Sequence, residues 1–297
     1  MRVTFGAIQR QANEGIGRAS EEMVKYQRQV STGKRVERPS DDPSAASITV
    51  GERAEMASFK QFSDTSDAAE SKLRVADSVL SDLLDKLTAA RTVVMSVRGS
   101  TATAAQREAS AEELRSLREA VLEDLNTAFR GTFLFGGAAG DVKPFATTAG
   151  VVDPYAGSTR EVEVDIDRGR AVVVAFDGSA ISQGSDAADI FAAFDQAATA
   201  AVAADSTTLG QAFDAMGRAF DRATRAQSSV GTSLRAVADH KLRLADASRA
   251  SGARISSLED ANMVQAISGM NQAEVTYEAA LGAAARSARV SLFDYLK

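Results

Sequence analysis

The chain has 297 residues, a formal net charge of -6 and no cysteine. Acidic and basic residues are interleaved, so no basic face is available for nucleic acid. The lack of cysteine excludes disulfides and thiolate metal sites. No uninterrupted apolar run reaches the length of about eighteen residues that a membrane span needs. We therefore expect neither nucleic acid nor membrane as a partner. The first residues also lack the apolar run of a cleavable secretory signal.

Aromatic residues make up only 6% of the chain, tryptophan is absent, and there are four prolines. Few large side chains make a large compact core unlikely, and so few prolines leave long stretches free to be helical. This composition favours long amphipathic helices.

The N-terminal segment predicts a helix from about Thr4 to Thr32. Its apolar residues recur every three or four positions, which is the period of one helix face. Gly33 suits the left-handed residue that ends many helices. The stripe consists of Phe5, Ile8, Ala12, Ile16, Ala19, Met23, Tyr26 and Val30.

A connector links this helix to the next. Pro39 disfavours helix at the residue before it, whereas Asp42 before Pro43 is typical of a helix start. Asp41 and Asp42 could instead hold a cation, but helix capping is the better interpretation. The connector residues are Gly33, Lys34, Arg35, Pro39, Ser40, Asp41, Asp42 and Pro43.

Lys34, Arg35 and Arg38 form a basic cluster in this connector. Such a cluster is most often a solvated loop. In an assembly, it could meet acidic residues of a neighbouring subunit.

In the central sequence, the spacing of apolar residues changes from a helical to a strand period and back. Helices are predicted over about 43–98 and 103–129, and Thr103 with Gln106 forms a capping box for the second. Short apolar segments follow, and the strictly alternating stretch 161–167 predicts a half-exposed strand in a hairpin with 171–176. Helices return over about 187–203 and 209–254.

The C-terminal segment predicts a last helix that begins near Ser256 and Ser257, each with an acidic residue three positions later. We expect the apolar stripes at the two ends to pair with each other and then with the same ends of neighbouring subunits. For an isolated end, the loss of conformational entropy on ordering would exceed the free energy gained by burying its apolar stripe. The predicted assembly interface comprises Phe5, Ile8, Ile16, Met23, Val30, Leu258, Val264, Ile267, Leu281, Leu292 and Leu296.

The predicted fold is mainly α, a long antiparallel helical bundle with a small β-rich inserted domain. We expect three domains. Terminal helices, 1–42 and 256–297, would form an inner coiled-coil domain. Residues 43–140 and 186–255 would form a helical rod domain, and 141–185 a β-rich surface domain.

No residue pattern indicates catalysis. His240 is the only histidine and has no cysteine or second histidine to act with, so a polar helix position is the better interpretation. Gly131, Gly136 and Gly137 lack the Lys-Ser/Thr pair of a phosphate loop. We expect no catalytic, cofactor-binding or metal-binding residues, no cofactor and no enzymatic activity.

The stretch from Gln29 to Ala46 resembles the connector near the start of flagellin-superfamily proteins. Its Pro39-Ser40-Asp41-Asp42-Pro43 form resembles the hook-filament junction branch of that superfamily. Two further stretches agree in order: Gly131-Thr-Phe-Leu-Phe-Gly-Gly137, and Ser291-Leu-Phe-Asp-Tyr-Leu296.

The resemblance implies a structural component of the bacterial flagellum that lies between a hook-side junction protein and the flagellin filament. It implies type III export with an escorting chaperone, secretion, and self-assembly into a helical layer at the hook-filament junction. The paired terminal helices would form an inner tube, the middle helices an outer tube, and the β region a surface domain.

Two alternatives remain open from the residues alone. A flagellin-type filament subunit would share the terminal stripes and the connector. A cytoplasmic helical adaptor rod would also be alanine-rich and free of cysteine, although the β segment and the proline-aspartate connector count against it. Recovery of the chain from sheared extracellular appendages would separate these classes.

Overall fold

The computed structural model describes residues 5–99 and 102–295, with side chains described for 10–99 and 102–286. Helices, then short strands, then helices follow one another in the predicted order. The helices are α1 (Phe5–Thr32), α2 (Pro43–Val97), α3 (Ala104–Leu125), α4 (Gly178–Ser182), α5 (Ile190–Ala203), α6 (Ser206–Glu259) and α7 (Met263–Tyr295). The strands are β1 (Ala128–Phe129), β2 (Thr132–Phe133), β3 (Thr147–Thr148), β4 (Val151–Val152), β5 (Val162–Asp167) and β6 (Arg170–Ala175).

Local signals set several helix ends. Gly33 has a φ of 71°, and its N–H donates to the Gln29 carbonyl at 3.0 Å, which closes α1. The carboxylate of Asp42 accepts from the Ala45 N–H at 3.0 Å and caps α2, as expected. Thr103 forms the predicted capping box at the start of α3.

The β segment consists of three two-stranded antiparallel hairpins within the described residues. Each has a two-residue turn that contains a glycine with positive φ, namely Gly131, Gly150 and Gly169. The predicted β5–β6 hairpin is confirmed. Short α4 follows it and was not predicted.

The chain forms two compact units. The terminal unit comprises Met1–Phe59 and Asp246–Lys297, and the central unit comprises Lys60–Ala245. The long helices α2 and α6 each contribute to both units, whereas the expected domain boundaries lay at 42–43 and 255–256.

The central unit has one hydrophobic core that helices and β segment share. Phe145, Ile166 and Phe176 are buried in the same cluster as Leu80 and Phe191. The opposite side of β5 is solvated, as expected from its alternation, because residues 161, 163 and 165 are exposed. The β segment therefore has a surface face and also a face that belongs to the core.

Two predicted helix boundaries were wrong. Helix α3 ends at Leu125 rather than near residue 129, because the side chain of Asn126 leaves the helix to pair with the backbone N–H and carbonyl of Phe145. The last helix begins at Met263, and Ser256 and Ser257 lie inside α6. The side chain of Asn262 accepts from the N–H groups of residues 264 and 265 and provides the cap.

Candidate assembly surface

Helices α1 and α7 pack against each other in the terminal unit. Ala19 on α1 and Ala266 and Ala273 on α7 are buried. Gly269 lets the helices approach, because a Cβ there would lie 2.5 Å from the Tyr26 ring. The predicted α1 stripe is thus partly covered within one chain, and its members Ile16, Met23 and Val30 are half-buried.

Helix α7 carries a second apolar stripe that stays exposed. Its side chains range from 40% exposed at Met263 to 79% exposed at Val264. At about 100° per residue, this stripe lies about 120° around the helix from the buried residues that face α1. An exposed apolar stripe of this length marks an interaction surface. It consists of Met263, Val264, Ile267, Val275 and Leu281.

Smaller apolar patches lie on the neighbouring helices of the terminal unit. Ile48 and Val50, in the first turns of α2, are 50% and 66% exposed, and Val24 on α1 is also exposed. The terminal unit therefore presents uncovered apolar side chains from three helices.

The connector of residues 33–42 is held by its two aspartates. The carboxylate of Asp41 accepts from the N–H groups of Arg38 at 2.9 Å and Glu37 at 3.2 Å, and these bonds lower the pKa of Asp41. The Ala45 N–H and then the Arg35 guanidinium lower the pKa of Asp42. Both carboxylates are engaged by donors of the chain, which fits capping.

The connector also joins the turn between α6 and α7. Lys34 forms an antiparallel bridge with Asp260, and the N–H groups of Arg35 and Val36 donate to the Glu259 carbonyl. The Lys34 ammonium lies 2.6 Å from the Glu259 carboxylate. The basic cluster thus meets an acidic residue of its own chain, where we had considered one of a neighbour.

Sequence reasoning missed the ion-pairing role of Glu259 and its second partner, Arg53, whose guanidinium donates to both carboxylate oxygens at 2.7 and 2.8 Å. The ion pair between Arg254 and Glu52 was missed as well. Partners more than 200 residues apart leave no signal in spacing along the chain.

The predicted interface residues fall into four groups. Val264, Ile267 and Leu281 belong to the exposed α7 stripe, and Leu258 is half-buried at the end of α6. The α1 members Ile16, Met23 and Val30 face α7. The remaining residues lie outside the described side chains: Phe5, Ile8, Leu292 and Leu296.

His240 lies at a helix position, as expected, but its side chain is buried. It lies in α6, is 3% exposed, and its Nε2 has no hydrogen-bond partner among the described residues. The nearest acidic group is the Asp167 carboxylate at 3.8 Å. Among the described residues there is no cluster of three or more metal-ligating side chains, and no helix is long and apolar enough to cross a membrane.

Residues 5–139 match the family model of the bacterial flagellin N-terminal helical region. The flagellar hook-associated protein 3 of Escherichia coli (strain K12) is 30% identical over 182 residues, which cover 61% of this chain and 56% of that protein. The N-terminal part of this chain is therefore similar to proteins of the flagellin superfamily. These matches agree with the resemblance noted in the connector, and the second spans little more than half the length of the Escherichia coli protein.

Solved structures share the fold of this chain. FlgL from Xanthomonas campestris is 16% identical with a TM-score of 0.62, and the alignment covers 69% of this chain and 99% of that one. The flagellar junction protein FlgL from Legionella pneumophila is 13% identical with a TM-score of 0.62, covering 72% and 100%. The predicted fold class, a mainly α bundle with a small β-rich insertion, is confirmed.

Proposed function

We propose that this chain is a structural component of the bacterial flagellum that forms the junction layer between a hook-side junction protein and the flagellin filament. The observation that carries the proposal is the uncovered apolar stripe on α7, from Met263 to Leu281, in a chain whose N-terminal part matches the flagellin family model. The relatives named hook-associated protein 3 support the position at the junction.

The proposed layer is built by self-assembly of the terminal units. Covering the exposed fractions of the five stripe residues yields about 1 to 2 kcal/mol each, whereas association costs about 4 to 15 kcal/mol. One contact between two chains is therefore weak, and we expect a monomer in dilute solution. Contacts with several neighbours in a helical array, on a hook that already holds the first subunits, reverse the balance.

The proposal includes an inner domain of residues 1–42 and 256–297, a helical domain of 43–140 and 186–255, and a β-rich domain of 141–185. It also includes export through the flagellar type III apparatus, an escorting chaperone and a non-enzymatic role. The flagellar family of the chain supports these points.

Val264→Asp tests the surface directly. Val264 is 79% exposed, so a carboxylate there leaves the isolated chain as stable as the wild type within about 0.5 kcal/mol. In a contact it would bury an unpaired charge, so we expect no incorporation. In a strain that lacks the native gene, sheared appendages are probed for the chain, and microscopy scores filaments on hooks.

The matched control is Val202→Asp, because Val202 is 52% exposed on α5 of the central unit. We expect it to be incorporated normally. Incorporation of Val264→Asp at the control level would refute the assignment of this stripe. In the strain without the gene, we expect hooks to persist while flagellin is shed into the medium.

A further inference from the structure

The Glu259 carboxylate is an almost buried anion between two cations. Its side chain is 7% exposed, whereas those of Lys34 and Arg53 are 40% and 59% exposed. Lys34 donates to Oε2 at 2.6 Å, and Arg53 donates to both oxygens at 2.7 and 2.8 Å. One side chain at the end of α6 thus holds both the connector and α2. Hydrogen bonds to a charged partner of this kind are the stronger class.

Backbone bonds complete this joint. The Glu259 carbonyl accepts from the N–H groups of Arg35 at 2.5 Å and Val36 at 3.3 Å. The Ala261 N–H donates to the Gly33 carbonyl at 2.8 Å. We call these contacts, together with the Glu259 carboxylate and its two cations, the Glu259 clamp.

The clamp lies where the α1–α7 pair joins the rest of the terminal unit. Helix α1 is linked to α2 by residues 33–42, and α6 is linked to α7 by residues 260–262. The packing of α1 on α7 does not need the clamp, since it depends on Ala19, Ala266, Ala273 and the Tyr26–Gly269 contact. Without the clamp, the pair would stay formed but could turn about the two linkers.

The exposed α7 stripe begins at Met263, four residues after Glu259. The exposed Ile48 and Val50 precede Arg53 on α2 by five and three residues. The clamp therefore ties together the two helix starts that carry these apolar patches. A neighbouring subunit that contacts both patches needs them in one fixed arrangement.

We propose that Glu259 is a positioning residue for assembly, which sets the orientation of the α1–α7 pair relative to the first turns of α2. The consequence for assembly rests on the proposed function, whereas the clamp itself can be tested on the monomer. Glu259→Gln is a clean perturbation. It keeps the side-chain size, and both cations are exposed enough to be solvated once the anion is gone.

Hydrogen exchange of the full-length monomer tests the clamp. In Glu259→Gln, we expect the amides of Arg35, Val36 and Ala261 to exchange about tenfold faster or more, and the α1 amides of residues 20–30 to keep their protection. Arg53→Lys, which retains a cation, should keep protection at all three amides. The exposed Glu22→Gln is the matched control and should change nothing. Two outcomes in Glu259→Gln would overturn the proposal. One is unchanged exchange at the three amides, and the other is loss of protection in α1 as well as at these amides.

A disulfide rescue tests the positioning role. The chain has no cysteine, and the antiparallel bridge between Lys34 and Asp260 places two residues at a Cα separation that a disulfide accepts. Purified full-length chains are sedimented with isolated hooks that carry the hook-side junction protein. We expect Glu259→Gln to lose co-sedimentation about tenfold. In the triple variant with Lys34→Cys and Asp260→Cys, oxidation should restore it and reduction should abolish it.

The outcomes separate the two proposals. Wild-type levels of co-sedimentation by Glu259→Gln, or no rescue by a formed disulfide, would refute the positioning role while the junction function stands. Failure of the disulfide to form in the folded chain would refute the juxtaposition itself. Failure of the wild-type chain to co-sediment would count against the proposed function, while the exchange measurement would still decide the clamp.

Discussion

Phe145→Ala should destabilise the whole central unit, although residue 145 lies in the β segment. The ring of Phe145 is 1% exposed, and its centroid lies 5.3 Å from the centroids of both Tyr155 and Phe191. The backbone of Phe145 also pairs with the Asn126 side chain at the end of α3. The substitution would therefore open a cavity between the β segment, α3 and α5.

Removing a buried phenylalanine side chain costs about 3 to 5 kcal/mol. For a unit of the size of Lys60–Ala245, each kcal/mol shifts the melting temperature by about 2 to 4 °C. We expect the Tm to fall by about 6 to 20 °C, measured by the far-ultraviolet circular dichroism of the helices. The control is Val142→Ala, because Val142 is 41% exposed in the same loop and its truncation should cost less than about 0.5 kcal/mol.

If the helices of Phe145→Ala melted at the same temperature as those of the Val142→Ala control, this reasoning would be refuted. It would mean that the β segment folds apart from the helices, as a detachable surface module would. The shared core predicts instead that removing 143–185 takes Phe145 away from Phe191 and destabilises the helices. Partial function of such a deletion protein would then depend on the stability left in the helices.

Gly269→Ala should push the Tyr26 ring away and loosen the α1–α7 pair, so limited proteolysis of residues 1–33 should become faster. Gly17→Ala is the control and should leave the rate unchanged, because a Cβ there meets open space. Equal proteolysis rates for the two variants would contradict the close approach of α1 and α7 at Gly269. Glu70→Gln should weaken the acid dependence of stability. Hydrogen bonds from Lys241 and then Arg74 lower the pKa of Glu70, so its contribution is present above the unfolded pKa of about 4.3 and is lost as pH falls through the lower folded value. Unfolding followed between pH 2 and 7 would show a shallower acid limb for the variant, and parallel curves would refute the assignment.

Much of the fold could be predicted from the sequence because its signals are local. Gly33, Asp42 with Pro43, and Thr103 mark helix ends through bonds to residues at most four positions away. The apolar period shows which helix faces are apolar, and strict alternation with a glycine turn identifies the β5–β6 hairpin. Part of the candidate surface could also be predicted, since Val264 and Ile267 of the exposed α7 stripe were among the predicted interface residues.

Local signals also explain the errors. The serines at 256 and 257 satisfy the pattern of a helix start, but the pattern states only that capping is possible there. Helix α6 continues to Glu259, and the actual start of α7 uses Asn262. The sequence also predicts a polar helix position at His240, but it carries no local signal that this side chain is buried on α6.

By itself, the sequence determined that long helices flank a β segment, where several of those helices begin or end, which faces are apolar and where the β5–β6 hairpin lies, because these depend on residues within a turn or two of each other. Only the tertiary structure decided that the β segment completes the helical core, that α7 keeps a second stripe exposed after pairing with α1, and that Glu259 meets Lys34 and Arg53. The physical reason is that burial and ion pairing depend on groups distant along the chain, more than 200 residues apart for Glu259 and its two partners. The spacing of residues along the chain does not show which of many charged or apolar residues will become neighbours in the fold.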